Sequence, residues 1–152
     1  TITSGVNNTL IGNNAQATSS TATGEITLGN ANVVTLRCQV TTITALSDVR
    51  DKEKIKDLEY GLDFLKSVRP VQFVWNTRDG AVSGLKDVGF IAQELDAAQT
   101  TASGEDYLRL VHKLNPEKIE ATPGRLLPVT IKAVQELSDR VTALETLVNQ
   151  LK

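Results

Sequence analysis

Charge changes abruptly at one place along this chain, and the two sides of that place do not suit the same kind of fold. Residues 1–46 carry two charged side chains, Glu25 and Arg37, whereas the 106 residues that follow carry thirty-two. Twenty of the first 46 are Ser, Thr or Asn, and none is aromatic. So few large side chains cannot build a core, which is the composition of a flexible linker. The pattern within the stretch argues for strands instead. Val34, Leu36, Cys38 and Val40 alternate with Thr35, Arg37 and Gln39, the period-two signature of a strand with one apolar face. That placement makes Cys38 a buried, small apolar residue. Ile26 and Leu28 alternate in the same way before the turn signal "GNAN", and "LIGNNA" and "LGNAN" echo each other about 17 residues apart, as a repeated strand-turn unit would. Short strands need partners, and copies of the same chain are the nearest source. Residues 1–46 are therefore expected to form an intertwined β stalk shared between chains.

Composition excludes several functions. A net charge of −2 without a basic stripe gives no reason to bind nucleic acid or an anionic membrane. No run of about 18 apolar residues exists to span a bilayer, and "TITSGVNNTL" lacks the basic flank and apolar core of a signal peptide. One cysteine and one histidine allow neither an internal disulfide nor an ordinary zinc site. No metal and no cofactor are expected.

After the seam the pattern is that of a small α+β domain. Ile55, Leu58, Leu62 and Leu65 fall at helical spacing, which predicts a helix, or two short ones broken at Gly61, over about 51–67. Pro70 stops it. "VQFVW" (71–75) alternates as a strand with Phe73 and Trp75 in the core, "NTRDG" turns, and "VGFIAQEL" (88–95) reads as a strand entering a helix. "YLRLVH" (107–112) predicts another strand, with His112 structural. The chain closes on a helix over 126–152 with a heptad register. Val134, Val141 and Val148 hold one position, and Leu137, Leu144 and Leu151 the other. Such a seam predicts a coiled coil, with Arg140 and Glu145 placed for an interhelical pair. Valine with leucine leans toward two strands, and the register alone leaves dimer and trimer open. The competing reading is one amphipathic helix packed on its own domain.

Four pieces occur in order: "SDVRDKEKI" at the seam, "LKSVRPVQFVW", "VGFIAQEL" and "LLPVTIKAVQEL". Together they resemble the C-terminal intramolecular chaperone domain of endosialidase-type phage tailspikes, tail fibres and neck appendages, over about 47–152. The polar segment ending "LRCQVTTITAL" is similar to the stalk that such domains follow. The resemblance implies a homotrimer in which 1–46 is the end of a parent fibre chain. Residues 47–152 would then be a chaperone that helps three chains wrap together and afterwards cuts itself off. It implies assembly in a host cytoplasm, with the fibre on the virion and the chaperone released. The family's cleavage motif, a Ser-Asp pair followed by Arg and Lys, matches Ser47, Asp48, Arg50 and Lys52. By that match Ser47 is the nucleophile and Lys52 the base.

The chemistry is sound on its own terms. A serine hydroxyl needs a base, and a lysine serves when burial or a cationic neighbour lowers its pKa. Attack by Ser47 on its own carbonyl closes a strained four-membered ring. Attack on the Leu46 carbonyl closes a five-membered one, so the cut belongs between Leu46 and Ser47. Five residues of helix place Ser47 and Lys52 about 140° apart. Either 47–50 is a turn that folds Ser47 back, or the lysine comes from a neighbouring chain. Asp48 and Arg50 can pair locally or position that turn, and Lys54 and Lys56 read as solvated. The plain alternative is that Ser47 or Asp48 caps a helix and does nothing else. Two other functions compete: a non-catalytic trimeric fibre tip, and a binding module dimerised by its coiled coil.

Overall fold

In the computed structural model, residues 2–151 are described, and they divide into two compact units. Of these, one comprises residues 2–57 with Asn76–Ser83, the other Leu58–Trp75 with residues 84–151.

In the first unit, strand β1 (Thr9–Ile11) pairs in parallel with β2 (Ile26–Leu28), Thr9 opposite Ile26 and Ile11 opposite Leu28. Parallel strands need a long return connection, and here it is irregular chain stacked on itself at one fixed offset. Thr3 Oγ1 donates to Ser20 O at 3.1 Å, Glu25 N to Asn8 Oδ1 at 2.9 Å and Asn30 Nδ2 to Asn13 O at 2.8 Å, each pair 17 residues apart. The chain thus completes one coil in 17 residues and lays a second coil upon it. Equivalent turns end the two strands at Gly12 (φ +119°) and Gly29 (φ +77°), a backbone region that favours glycine. Small residues permit the stacking. A Cβ at Gly5 would fall 1.8 Å from the Ala22 carbonyl oxygen. The sequence echo is therefore a structural repeat, closed within one chain.

Ala22 is the only buried residue of this unit up to Asp57 among the described residues, and every residue from 31 to 57 is exposed. Within the single chain no strand forms over Val34–Val40. Cys38 is exposed, not buried.

The second unit has a true core of Phe64, Val68, Leu95, Leu108, Leu110, Leu126 and Val129. Helix α1 (Leu62–Ser67) is shorter than the helix expected over 51–67. Lys54 adopts a left-handed φ of +53°, which breaks the helical path, and Gly61 is the N-cap of α1. Leu58 and Tyr60 still pack on the core, but from non-helical chain. Strands β3 (Val71–Asn76) and β4 (Ser83–Gly89) form a hairpin. On it Phe73 is half-buried and packs edge-on to Trp75, ring centroids 5.0 Å apart. Trp75 is not core. It is 39% exposed and donates from Nε1 to Asp87.

Helix α2 (Ala92–Thr101) follows as expected. The strand expected over 107–112 begins instead in helix α3 (Glu105–Leu108), with only Val111–His112 forming strand β5 against β6 (Glu120–Ala121). Arg109, in the left-handed region at φ +44°, separates the two. Buried Gln99 explains the bend. Its Oε1 accepts from Leu110 N at 2.8 Å and its Nε2 donates to Asp96, so a polar group is satisfied where a ladder would otherwise run. His112 has the structural setting expected, with Nδ1 3.5 Å from Glu120 Oε2 across the β5–β6 pair.

Helix α4 (Leu126–Gln150) closes the unit. Its buried residues are Leu126, Val129 and Ala133. Glu136 caps α1 by accepting from Leu62 N at 2.8 Å, and Arg140 lies 3.9 Å from Asp63. The heptad residues Val134, Leu137, Val141, Leu144, Val148 and Leu151 are all exposed, by 47% to 84%. The mixed α and β architecture with a C-terminal helix is as expected.

Candidate functional site

At the seam the chain makes one turn of 3-10 helix, Val49–Asp51. Asp48 is its N-cap. Its Oδ1 accepts the Arg50 backbone N–H at 2.9 Å, the contact by which aspartate satisfies an otherwise orphaned donor. Asp51 N and Lys52 N then donate to the carbonyls of Asp48 and Val49, at 3.2 and 3.1 Å. Lys52 leaves the turn in extended conformation.

This turn folds the chain back on itself. Lys52 Nζ lies 2.6 Å from Ser47 Oγ and 3.3 Å from the Ser47 carbonyl oxygen. Within this chain the turn brings the lysine to the serine five residues before it. Asp48 and Arg50 pair closely: Arg50 Nε donates to Asp48 Oδ1 at 3.0 Å and Arg50 Nη2 to Oδ2 at 2.6 Å. The Arg50 side-chain bonds hold the Asp48 carboxyl below its ordinary pKa, with the Arg50 backbone N–H adding to the effect. The guanidinium is held more firmly protonated in return.

Lys54 turns away and sits 3.8 Å from Glu53, both strongly exposed. Leu46, on the far side of the bond in question, is 99% exposed. In the single chain nothing covers the pair: Ser47 and Lys52 are both exposed. The Ser47 carbonyl, as a second acceptor for Nζ, was not visible in the sequence because every residue has one.

Among the described residues no group of His, Cys, Asp and Glu is placed to hold a metal, and no helix is long and apolar enough to cross a membrane. A comparison with curated proteins finds no match. Residues 47–104 match the model of a family described as the chaperone of endosialidase, Peptidase_S74. The match opens on the residue whose hydroxyl Lys52 touches, and it runs through α1, the hairpin and α2. Over residues 47–104, this chain is similar to the chaperone-of-endosialidase family.

Proposed function

We propose that the domain is an intramolecular chaperone which assembles three chains of a phage fibre or tailspike and then releases itself by cutting between Leu46 and Ser47. The observation that carries this reading is the 2.6 Å contact between Lys52 Nζ and Ser47 Oγ at the first residue of the family match. Neutral Lys52 takes the proton of Ser47 Oγ, and Oγ attacks the Leu46 carbonyl carbon through a five-membered ring. The C–O bond forms and the C–N bond breaks. The proton passes to the departing Ser47 nitrogen, leaving an ester between Leu46 and the Ser47 side chain. Water hydrolyses that ester, giving the Leu46 carboxylate and restoring the serine. Each chain cuts once.

A lysine acts as a base when it is desolvated or placed near another cation. One chain supplies no burial at Lys52. The same chain leaves an apolar heptad row open on α4 and short strands uncovered in the stalk segment. Assembly therefore supplies what is missing. Three copies would cover the seam, exclude water from the dyad and switch on cutting only after the fibre end has formed. The partners on this reading are two further copies and the parent fibre in cis, with assembly in the host cytoplasm, the fibre carried on the virion and the chaperone shed.

The exposure of the dyad favours one rival, a fibre tip with the same trimer and no chemistry. Mass spectrometry of freshly made protein separates them. Cutting gives pieces of 46 and 106 residues, and the rival leaves 152.

A further inference from the structure

Lys52 reaches Ser47 only because the intervening residues turn, and the side chain that caps that turn is Asp48. We infer that Asp48 and Arg50 are positioning residues for the cut: Asp48 caps the turn that returns Lys52 to Ser47, and Arg50 occupies the Asp48 carboxylate so that it does not capture Lys52. This rests on the proposed Ser47–Lys52 chemistry.

Three observations carry it. Asp48 Oδ1 accepts from Arg50 N at 2.9 Å, the cap on a segment that buries no residue and so has no packing to hold it. An uncapped single turn is marginal in water. Second, both carboxylate oxygens are taken by Arg50, through Nε on Oδ1 and Nη2 on Oδ2. This two-point grip suits the planar guanidinium and a lysine cannot reproduce it. Third, among the described residues Lys52 Nζ bonds to Ser47, at Oγ and O, and not to the Asp48 carboxylate. An ammonium close to a free carboxylate would pair with it and be held charged, so an unoccupied Asp48 would compete with the serine and disable the base. The pair thus fixes where Lys52 goes and removes the nearest rival for it.

The test follows cutting of the full 152-residue chain by mass spectrometry over time, with Ser47→Ala as the uncut control. Asp48→Ala should slow cutting about tenfold by loss of the cap. Asp48→Asn keeps a cap acceptor and has no net charge, so it should cut clearly faster than Asp48→Ala. Arg50→Ala frees the carboxylate and should slow cutting about tenfold. Adding Asp48→Asn to Arg50→Ala should recover most of that loss, a rescue that a merely structural ion pair would not give. Sedimentation of each variant in the Ser47→Ala background should show unchanged assembly. Full-rate cutting by Asp48→Ala, or a double variant no faster than Arg50→Ala, overturns the positioning role and leaves the dyad standing. A wild-type chain that never cuts overturns both.

Discussion

Ser47 and Lys52 stand five residues apart, too far round a helix to meet and well placed to meet across a tight turn. Substitution at each position tests a different part of the chemistry. Ser47→Ala removes the proposed nucleophile at an exposed position, so cutting should stop while assembly persists, as native gel or sedimentation will register. Lys52→Ala should stop it as well. Lys52→Arg is the sharper experiment, because arginine keeps the charge but does not give up its proton; a processed Lys52→Arg chain would exclude Lys52 as the base. Lys54→Ala and Lys56→Ala should cut at near wild-type rates. Much of this site was legible in the sequence, since Ser47, Asp48, Arg50 and Lys52 lie within one short motif. The fold that brings Lys52 to Ser47 within one chain was not. That depends on the backbone of 48–51, and one turn capped by Asp48 reads the same in sequence as the start of a longer helix.

Helix α4 has two faces with different occupations. Its first half buries Leu126, Val129 and Ala133, while its heptad row lies open. Replacing Leu137 and Leu144 by Asp should leave the fold of the second unit intact by circular dichroism. It should abolish association, because carboxylates buried unpaired in a seam cost several kcal/mol. Processing should slow with it. A variant that stays monomeric and still cuts at full rate would separate chemistry from assembly. Glu136 belongs to the first half of the helix and caps α1 through Leu62 N. Glu136→Ala should destabilise the chain by about 1 kcal/mol in urea unfolding. Sequence periodicity found α4, β3 and α2 because each has a strong pattern and a consistent environment. It failed over 51–61, where Ile55 and Leu58 have helical spacing but Lys54 takes a left-handed φ and Leu58 packs from non-helical chain. It failed again at 107–110, where buried Gln99 binds the Leu110 N–H that a strand would have shared.

For the molecule as a whole, sedimentation of intact Ser47→Ala protein should show three chains; two would favour the dimeric binding module, and one would remove the basis for assembly-gated cutting. Acid should loosen the second unit in a definite window. The Asp96 carboxyl is held below its ordinary pKa chiefly by the Lys113 ammonium, and that of Glu94 by the Arg69 guanidinium. Carboxylates lowered in the folded state stabilise it fully above their ordinary pKa, and that contribution disappears as pH falls through the lowered values. Melting temperature should therefore be nearly level from about pH 7 to 5 and fall below about pH 4, with the Asp96→Asn variant showing a shallower fall. The coils of the first unit carry a consequence for how such a chain can change in length. Because the strand register and the side-chain rungs Thr3–Ser20, Asn8–Glu25 and Asn13–Asn30 share a 17-residue offset, the segment behaves as a screw thread with a fixed pitch. Growth by a whole coil advances it by one strand spacing, about 4.8 Å, and leaves each asparagine and glycine in phase. Growth by any other amount strips the thread, so length in this segment is counted in coils and not in residues.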